Sequence, residues 1–230
     1  MASPTSSDRV AGQPAVSAAT PRSRCAVIGR GLLALFAVVA VLGAAAWFER
    51  EPLLRSAAAA WIVSDPLRPA DAVAVFGGGL EDRPFAAADY YSRGLVKKIV
   101  ISNVGATQVE RLGVVESHVA LNRDALLKLG VPASAIEVFG ANLKNTRQEA
   151  LALHDWARQE GVHSIIVPTE SFVTRRLRWI LHRVFGDDGD VRVIELNAAD
   201  YGADNWWKTD AGIIAFQNEV LKYIYYRLKY

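Results

Sequence analysis

The chain has 230 residues, of which 51% are hydrophobic, enough for one sizeable core and short for two. Its 26 basic and 24 acidic residues leave a formal net charge of +2, so nothing in the charge balance points to a nucleic-acid partner. A single cysteine, Cys25, excludes an intramolecular disulfide and a cysteine-ligated zinc. The histidines, His118, His154, His163 and His182, show neither HxH nor HExxH spacing, so no histidine-rich transition-metal site is expected; an oxygen-ligated cation stays open, with no residue assigned to it.

In chain order, residues 1–30 are rich in Ala, Ser, Thr and Pro and carry Arg9, Arg22, Arg24 and Arg30 against Asp8, the composition of a disordered tail. The run "GLLALFAVVAVLGAAAWF", residues 31–48, contains no charge; as a helix it spans about 27 Å, close to a bilayer core. It reads as a transmembrane helix. A cleaved signal peptide is the alternative, since "AAA" at 44–46 fits a small-residue cleavage site. The arginine-flanked end belongs in the cytoplasm, which places everything after Glu49 outside it. The expected location is the cytoplasmic membrane, single-pass, with the lipid bilayer as a partner. Residues 49–70, "EREPLLRSAAAAWIVSDPLRPA", read as an Ala-rich connecting helix and linker, and 71–230 as the folded domain.

The strand candidates are "AVAVF" (72–76), "KIVIS" (98–102), "IEVF" (136–139), "SIIVP" (164–168) and "VRVIEL" (191–196). Between them lie "FAAADYYSRG", "VVESHVALNRDALLKLG", "TRQEALALHDWARQEG" and "TRRLRWILHRVFG", helix-length segments that each end in glycine. Strands alternating with helices predict an α/β fold: a doubly wound, mostly parallel five-stranded Rossmann-like sheet. The last segment, "TDAGIIAFQNEVLKYIYYRLKY", has helical apolar spacing. It packs on the sheet, or its Tyr- and Lys-rich end meets a membrane surface. Trp206 and Trp207 read as core or interface residues before a pocket wall.

In an open parallel sheet, ligands bind beyond the carboxyl ends of the strands, where the crossovers reverse direction. That rule gathers Gly77, Gly78 and Gly79 after the first strand, Ser102 and Asn103 after the second, Asn145 and Thr146 before the third helix, and Thr169, Glu170 and Ser171 after the fourth strand. The glycines bring backbone N–H groups close to an anion, and Arg83 follows within reach as a planar countercharge. The competing reading is a plain glycine turn with a surface arginine. Thr146-x-x-Glu149 reads as a capping box, with Asn145 facing the ligand beside it. Of Arg175, Arg176 and Arg178, at 100° per residue, one reaches the rim. Glu116 and Glu170 are the candidate proton-transfer carboxylates. There is no G-x-S-x-G elbow and no candidate cysteine nucleophile.

Taken together, "SDPLRPADAVAVFGGG", the following arginine, "GLVKKIVIS", "NTRQEA", "PTESFVTRR" and a closing tryptophan with an aromatic helix resemble the SanA, YdcF and ElyC family of bacterial cell-envelope proteins, from about Asp65 to Tyr230. The resemblance implies a Rossmann-like domain behind one membrane helix and a role in peptidoglycan, lipid-carrier or exopolysaccharide metabolism. It carries over Gly77, Gly78, Gly79, Arg83, Glu116, Asn145, Thr146, Glu149, Thr169 and Arg176. The family motifs have a histidine where this chain has Val173 and a glutamate where it has Gln148, which argues against histidine-dependent proton transfer here. The expected ligand is an anionic small molecule or a polyprenyl-phosphate-linked precursor, handled by a transferase, a hydrolase, or a non-catalytic sensor or scaffold; no cofactor is indicated.

Overall fold

The computed structural model describes residues 22–198 and 200–230, so the expected tail lies outside the described residues up to position 21. The chain divides into two compact units, one ending at Arg50 and one spanning Glu51–Tyr230. In the first, helix α1 covers Arg22–Phe48, beginning within the stretch read as tail. Its portion Ile28–Phe48 is long and apolar enough to cross a membrane and exposes its apolar side chains.

The second unit has strands β1 (Ala72–Val75), β2 (Lys98–Val104), β3 (Ile136–Leu143), β4 (Ser164–Glu170) and β5 (Asp190–Leu196). With them run helices α2 (Arg50–Trp61, all but its first residue in this unit), α3 (Arg83–Ser92), α4 (Gln108–Arg111), α5 (His118–Lys128), α6 (Thr146–Glu160), α7 (Thr174–Phe185) and α8 (Asp210–Lys229). The five strands form one sheet in the order β3-β2-β1-β4-β5, parallel at every junction. The fold is the Rossmann-like α/β sandwich read from the alternating pattern.

Strand alternation divides the core in two. Ala72, Ala74, Val100, Ile165, Val167 and Val193 face α6 and α7, where Leu153, Trp156, Leu177 and Ile180 cover them. Val73, Val75, Ile99, Ile101 and Ile166 face α3 and α5, meeting Ala87, Tyr90 and Leu126. The four residues of β1 are fully buried on both faces, as a central parallel strand requires. The helix ends follow the expected glycines: at Gly161, φ of 64° closes α6 in the left-handed conformation that glycine adopts without steric cost.

The connecting helix α2 belongs to the folded unit. Its Leu54, Ala58 and Trp61 pack with Phe172 and Trp206, the Trp61 indole N–H donates to the Phe172 carbonyl (2.9 Å), and that of Trp206 to the Leu54 carbonyl (3.2 Å). Arg175 caps the end of α2 through the Ala60 and Trp61 carbonyls, while Arg178 pairs with Asp65 at 2.7 Å. Of the three neighbouring arginines, Arg176 alone turns toward the carboxyl edge of the sheet. Helix α8 closes the unit through Phe216, Glu219 and Tyr226.

Candidate functional site

The chain leaves β1 toward β2 and β3 and then returns to β4 on the other side of β1. The topological switch point is therefore between β1 and β4, and the crevice beyond their carboxyl ends is the ligand position this architecture offers. Two hollows open there. The larger, about 660 Å³, is lined by Gly77, Gly78, Arg111, Lys144, Asn145, Thr146 and Glu149 among others. The smaller, about 290 Å³, is bounded by Gly77, Gly78, Arg83, Thr146, Glu149, Arg176 and Lys222 among others. Gly77, Gly78, Thr146 and Glu149 border both.

Arg83 is buried at the start of α3. One end of its guanidinium donates to the Phe76 (3.2 Å) and Gly77 (2.8 Å) carbonyls, the other to the Thr169 hydroxyl (3.1 Å) and the Glu170 carboxylate (2.5 Å). It ties the end of β1 to the end of β4 across the switch point. The sequence suggested a countercharge for a ligand; the structure shows its terminal nitrogens occupied by protein acceptors. Thr169, fully buried, donates onward to Glu170 at 3.2 Å. Burial pushes the Glu170 carboxyl up, but the Arg83 charge and hydrogen bond and the Thr169 hydroxyl outweigh it and hold Glu170 below the usual glutamate range. Glu170 is thus an ionised half of a clamp.

The three glycines are required by different neighbours. A Cβ on Gly77 would collide with Val104, and one on Gly79 would fall on Glu170 Oε1 and 2.7 Å from Arg83 Nε. Gly78 has open space around it, but its φ of 88° is in the left-handed region. The N–H of Gly77 donates to Glu149 (2.6 Å) and that of Gly78 to His118 Nε2 (2.8 Å), so both amides have acceptors within the protein.

The start of α6 differs from the expected capping box by one residue. Asn145 is the N-cap, accepting the Gln148 N–H at 3.1 Å, and Gln148 reaches back to accept the Lys144 N–H at 2.8 Å. Thr146 is then free to accept from Arg176 at 2.9 Å, and Glu149 turns inward. Arg176 is otherwise locked onto Glu219, through Nε at 2.6 Å and a second nitrogen at 3.1 Å, with both side chains buried.

Glu149 is 5% exposed. Its Oε1 accepts from Gly77 and from the Ser102 hydroxyl at 2.8 Å, while Oε2 receives no hydrogen bond from the described residues. Burial pushes its carboxyl above the usual glutamate range, against the pull of the Gly77 N–H, Ser102, Arg83 and Arg176. The buried Glu149 and the partly buried Glu170 thus have opposite tendencies: Glu170 held ionised, Glu149 favouring its proton.

Glu116 remains in the exposed loop before α5, outside the two hollows. Glu110, in the short helix α4, instead accepts the His118 N–H at 2.7 Å and the Thr107 N–H. Asn103, at an irregularity of β2 between Ser102 and Val104, lines neither hollow. Sequence reasoning passed over His118, Arg111 and Lys144. His118 Nε2 accepts from Gly78, which assigns the ring proton to Nδ1; the nearby amide nitrogen of the fully buried Asn122 is also a donor and hydrogen-bonds the His118 carbonyl (2.8 Å), not the ring. Burial holds the imidazole below its ordinary pKa, with Glu110 opposing and Arg83 assisting. The signal for His118 was its place at the first turn of α5, behind the N-cap Ser117.

With Arg83 and Arg176 engaged, the exposed cations lining the larger hollow are Lys144 and Arg111, the latter donating through one terminal nitrogen to the Ala106 carbonyl. The first two N–H groups of α6, those of Thr146 and Arg147, have no acceptor among the described residues and sit at the positive end of a 15-residue helix. No cluster of potential metal ligands is present among the described residues. Comparison with protein-family models, with curated proteins and with solved structures finds no match.

Proposed function

We propose that the cleft at the carboxyl edge of the sheet binds the phosphorylated end of a cell-envelope precursor, a polyprenyl-phosphate-linked or saccharide intermediate of peptidoglycan, lipid-carrier or exopolysaccharide metabolism. In this reading α1 anchors the chain in the cytoplasmic membrane with its N-terminus in the cytoplasm, and the folded unit works on the other side. The envelope assignment rests on the resemblance to the SanA, YdcF and ElyC family and on the apolar helix. The anion assignment rests on one observation: the larger hollow joins Arg111, Lys144 and the open end of α6 over the buried Glu149.

Phosphate oxygens take the Arg111 and Lys144 charges and the Thr146 and Arg147 N–H groups, while a protonated Glu149 donates from Oε2. In a hydrolase or transferase the same proton would go to the departing oxygen as its bond to phosphorus breaks. The engagement of the Gly77 and Gly78 N–H groups and of the Arg83 and Arg176 guanidinium groups by protein partners favours a second reading, a binding module that senses such a ligand without turning it over.

The full chain, extracted in detergent, should carry a phosphorylated lipid or saccharide detectable by mass spectrometry, and the Arg111→Ala/Lys144→Ala variant should lose it. Equal recovery from both proteins, or no phosphorylated species from either, overturns the anion assignment. Release of inorganic phosphate from farnesyl diphosphate by the wild type but not by Glu149→Gln would select the enzyme over the sensor.

A further inference from the structure

Helix α8 is apolar on two sides. One side, with Phe216, Glu219 and Tyr226, packs into the folded unit. Ile213, Ile214, Leu221, Ile224, Tyr225 and Leu228 are instead between 40% and 84% exposed, with Leu228 at the upper end. At 100° per residue these six fall in an arc of about 120° on the outward side, which also holds Gln217 and, in the first turn, the exposed Asp210. A stripe this long is more than scattered surface hydrophobes account for.

The charges around the stripe select what covers it. Lys229 lines one edge and Arg227 the other, both in the last turn, while Lys222 lies further round and pairs with the buried Glu219 at 3.0 Å; the exposed carboxylate of the helix, Asp210, is in the first turn. Two parallel copies meeting through this face would bring their cationic last turns together, with Asp210 at the opposite end of the helix. Anionic lipid headgroups neutralise the same edges, while the long basic side chains and Tyr225 suit an apolar-polar boundary. The chain also supplies proximity: only Glu49 and Arg50 separate the end of the membrane-length helix at Phe48 from the unit beginning at Glu51. Three peptide steps reach at most about 10 Å.

We infer that the outward face of α8 is a membrane-docking surface that lies in the headgroup layer of an anionic bilayer. The inference does not depend on what the cleft binds. It places the folded unit against the lipid surface through its own helix, in addition to any anchor.

The unit Glu51–Tyr230 contains all five strands and all three apolar clusters, so it can be tested without α1. In flotation assays it should bind vesicles of phosphatidylglycerol mixed with phosphatidylcholine, and bind pure phosphatidylcholine far less. Leu221→Gln/Leu228→Gln should reduce partitioning by about tenfold or more, given the apolar area withdrawn from water per leucine. Arg227→Gln/Lys229→Gln should abolish the preference for phosphatidylglycerol. All four positions are exposed, so circular dichroism should show both variants folded. Failure of the wild type to float, or equal flotation of the leucine variant, overturns the inference. So does a sedimentation-detected dimer that the leucine variant dissolves, which would identify a second copy as the occupant. None of these substitutions lies in the lining of the cleft, so farnesyl phosphate binding by the same variants keeps the two questions apart.

Discussion

Glu149, in the first turn of α6, accepts the Gly77 N–H at 2.6 Å, joining the helix start to the loop that leaves the central strand. The bond fixes one carboxyl oxygen against the sheet edge and leaves the other without a protein donor among the described residues. Glu149→Gln keeps an acceptor for Gly77 and removes the ionisation. Because the folded protein raises this carboxyl above its ordinary value of 4.5, the folded state holds more protons than the unfolded state above that pH, and stability falls as pH rises. Urea unfolding midpoints measured from pH 4 upward, on the order of one pH unit apart, should shift in favour of Glu149→Gln until the folded-state pKa is passed, then run parallel to wild type.

Arg83 is buried and Glu170 largely so, and removing one partner of this pair leaves the other charge uncompensated. Arg83→Ala, which also strips donors from Phe76, Gly77 and Thr169, should cost about 3–5 kcal/mol in chemical denaturation. A double-mutant cycle with Glu170→Ala should show a coupling of at least about 1 kcal/mol. The carboxylate's contribution is present above its ordinary value of 4.5 and disappears as pH falls through its lower folded-state value.

The adjacent glycines separate conformational strain from collision. Gly78→Ala meets open space and should cost about 1–2 kcal/mol for its left-handed backbone alone. Gly79→Ala, at φ 56°, adds overlap with the clamped Arg83 and Glu170, and should cost about 2–5 kcal/mol. Equal thermal stability of the two variants would show that the clamp yields.

His118 accepts the Gly78 N–H and must be neutral to do so. Its folded-state pKa lies below the ordinary 6.5, so the unfolded chain takes up the proton first and stability is lost as pH falls from 6.5 toward the folded value. The imidazole ring resonances should titrate below 6.5 in the native protein, and His118→Gln should remove that part of the acid sensitivity.

The five strands were legible because each contains an apolar run, and the glycine-terminated helices between them gave the alternation of a parallel sheet; β3, read as 136–139, continues to Leu143 through exposed Gly140, Ala141 and Asn142, where no apolar pattern marks it. The short α4 was not, since it depends on the local Thr107–Glu110 capping box instead of a periodic apolar face. Within the site, Arg83 and Arg176 looked like free countercharges because their acids, Glu170 and Glu219, are 87 and 43 residues away. Pairing over such separations leaves no local pattern. Thr146-x-x-Glu149 has the spacing of a capping box, but Asn145 took the N-cap, and that shift by one residue turned Glu149 into the cleft.

The most direct test of anion binding is calorimetric titration of farnesyl phosphate into the Glu51–Tyr230 unit, beside Arg111→Ala/Lys144→Ala. Saturable binding that weakens with added salt and falls about tenfold or more in the variant is the predicted result, as expected for loss of two phosphate contacts. Absence of binding to the folded wild type, or equal affinity in the two proteins, would contradict it.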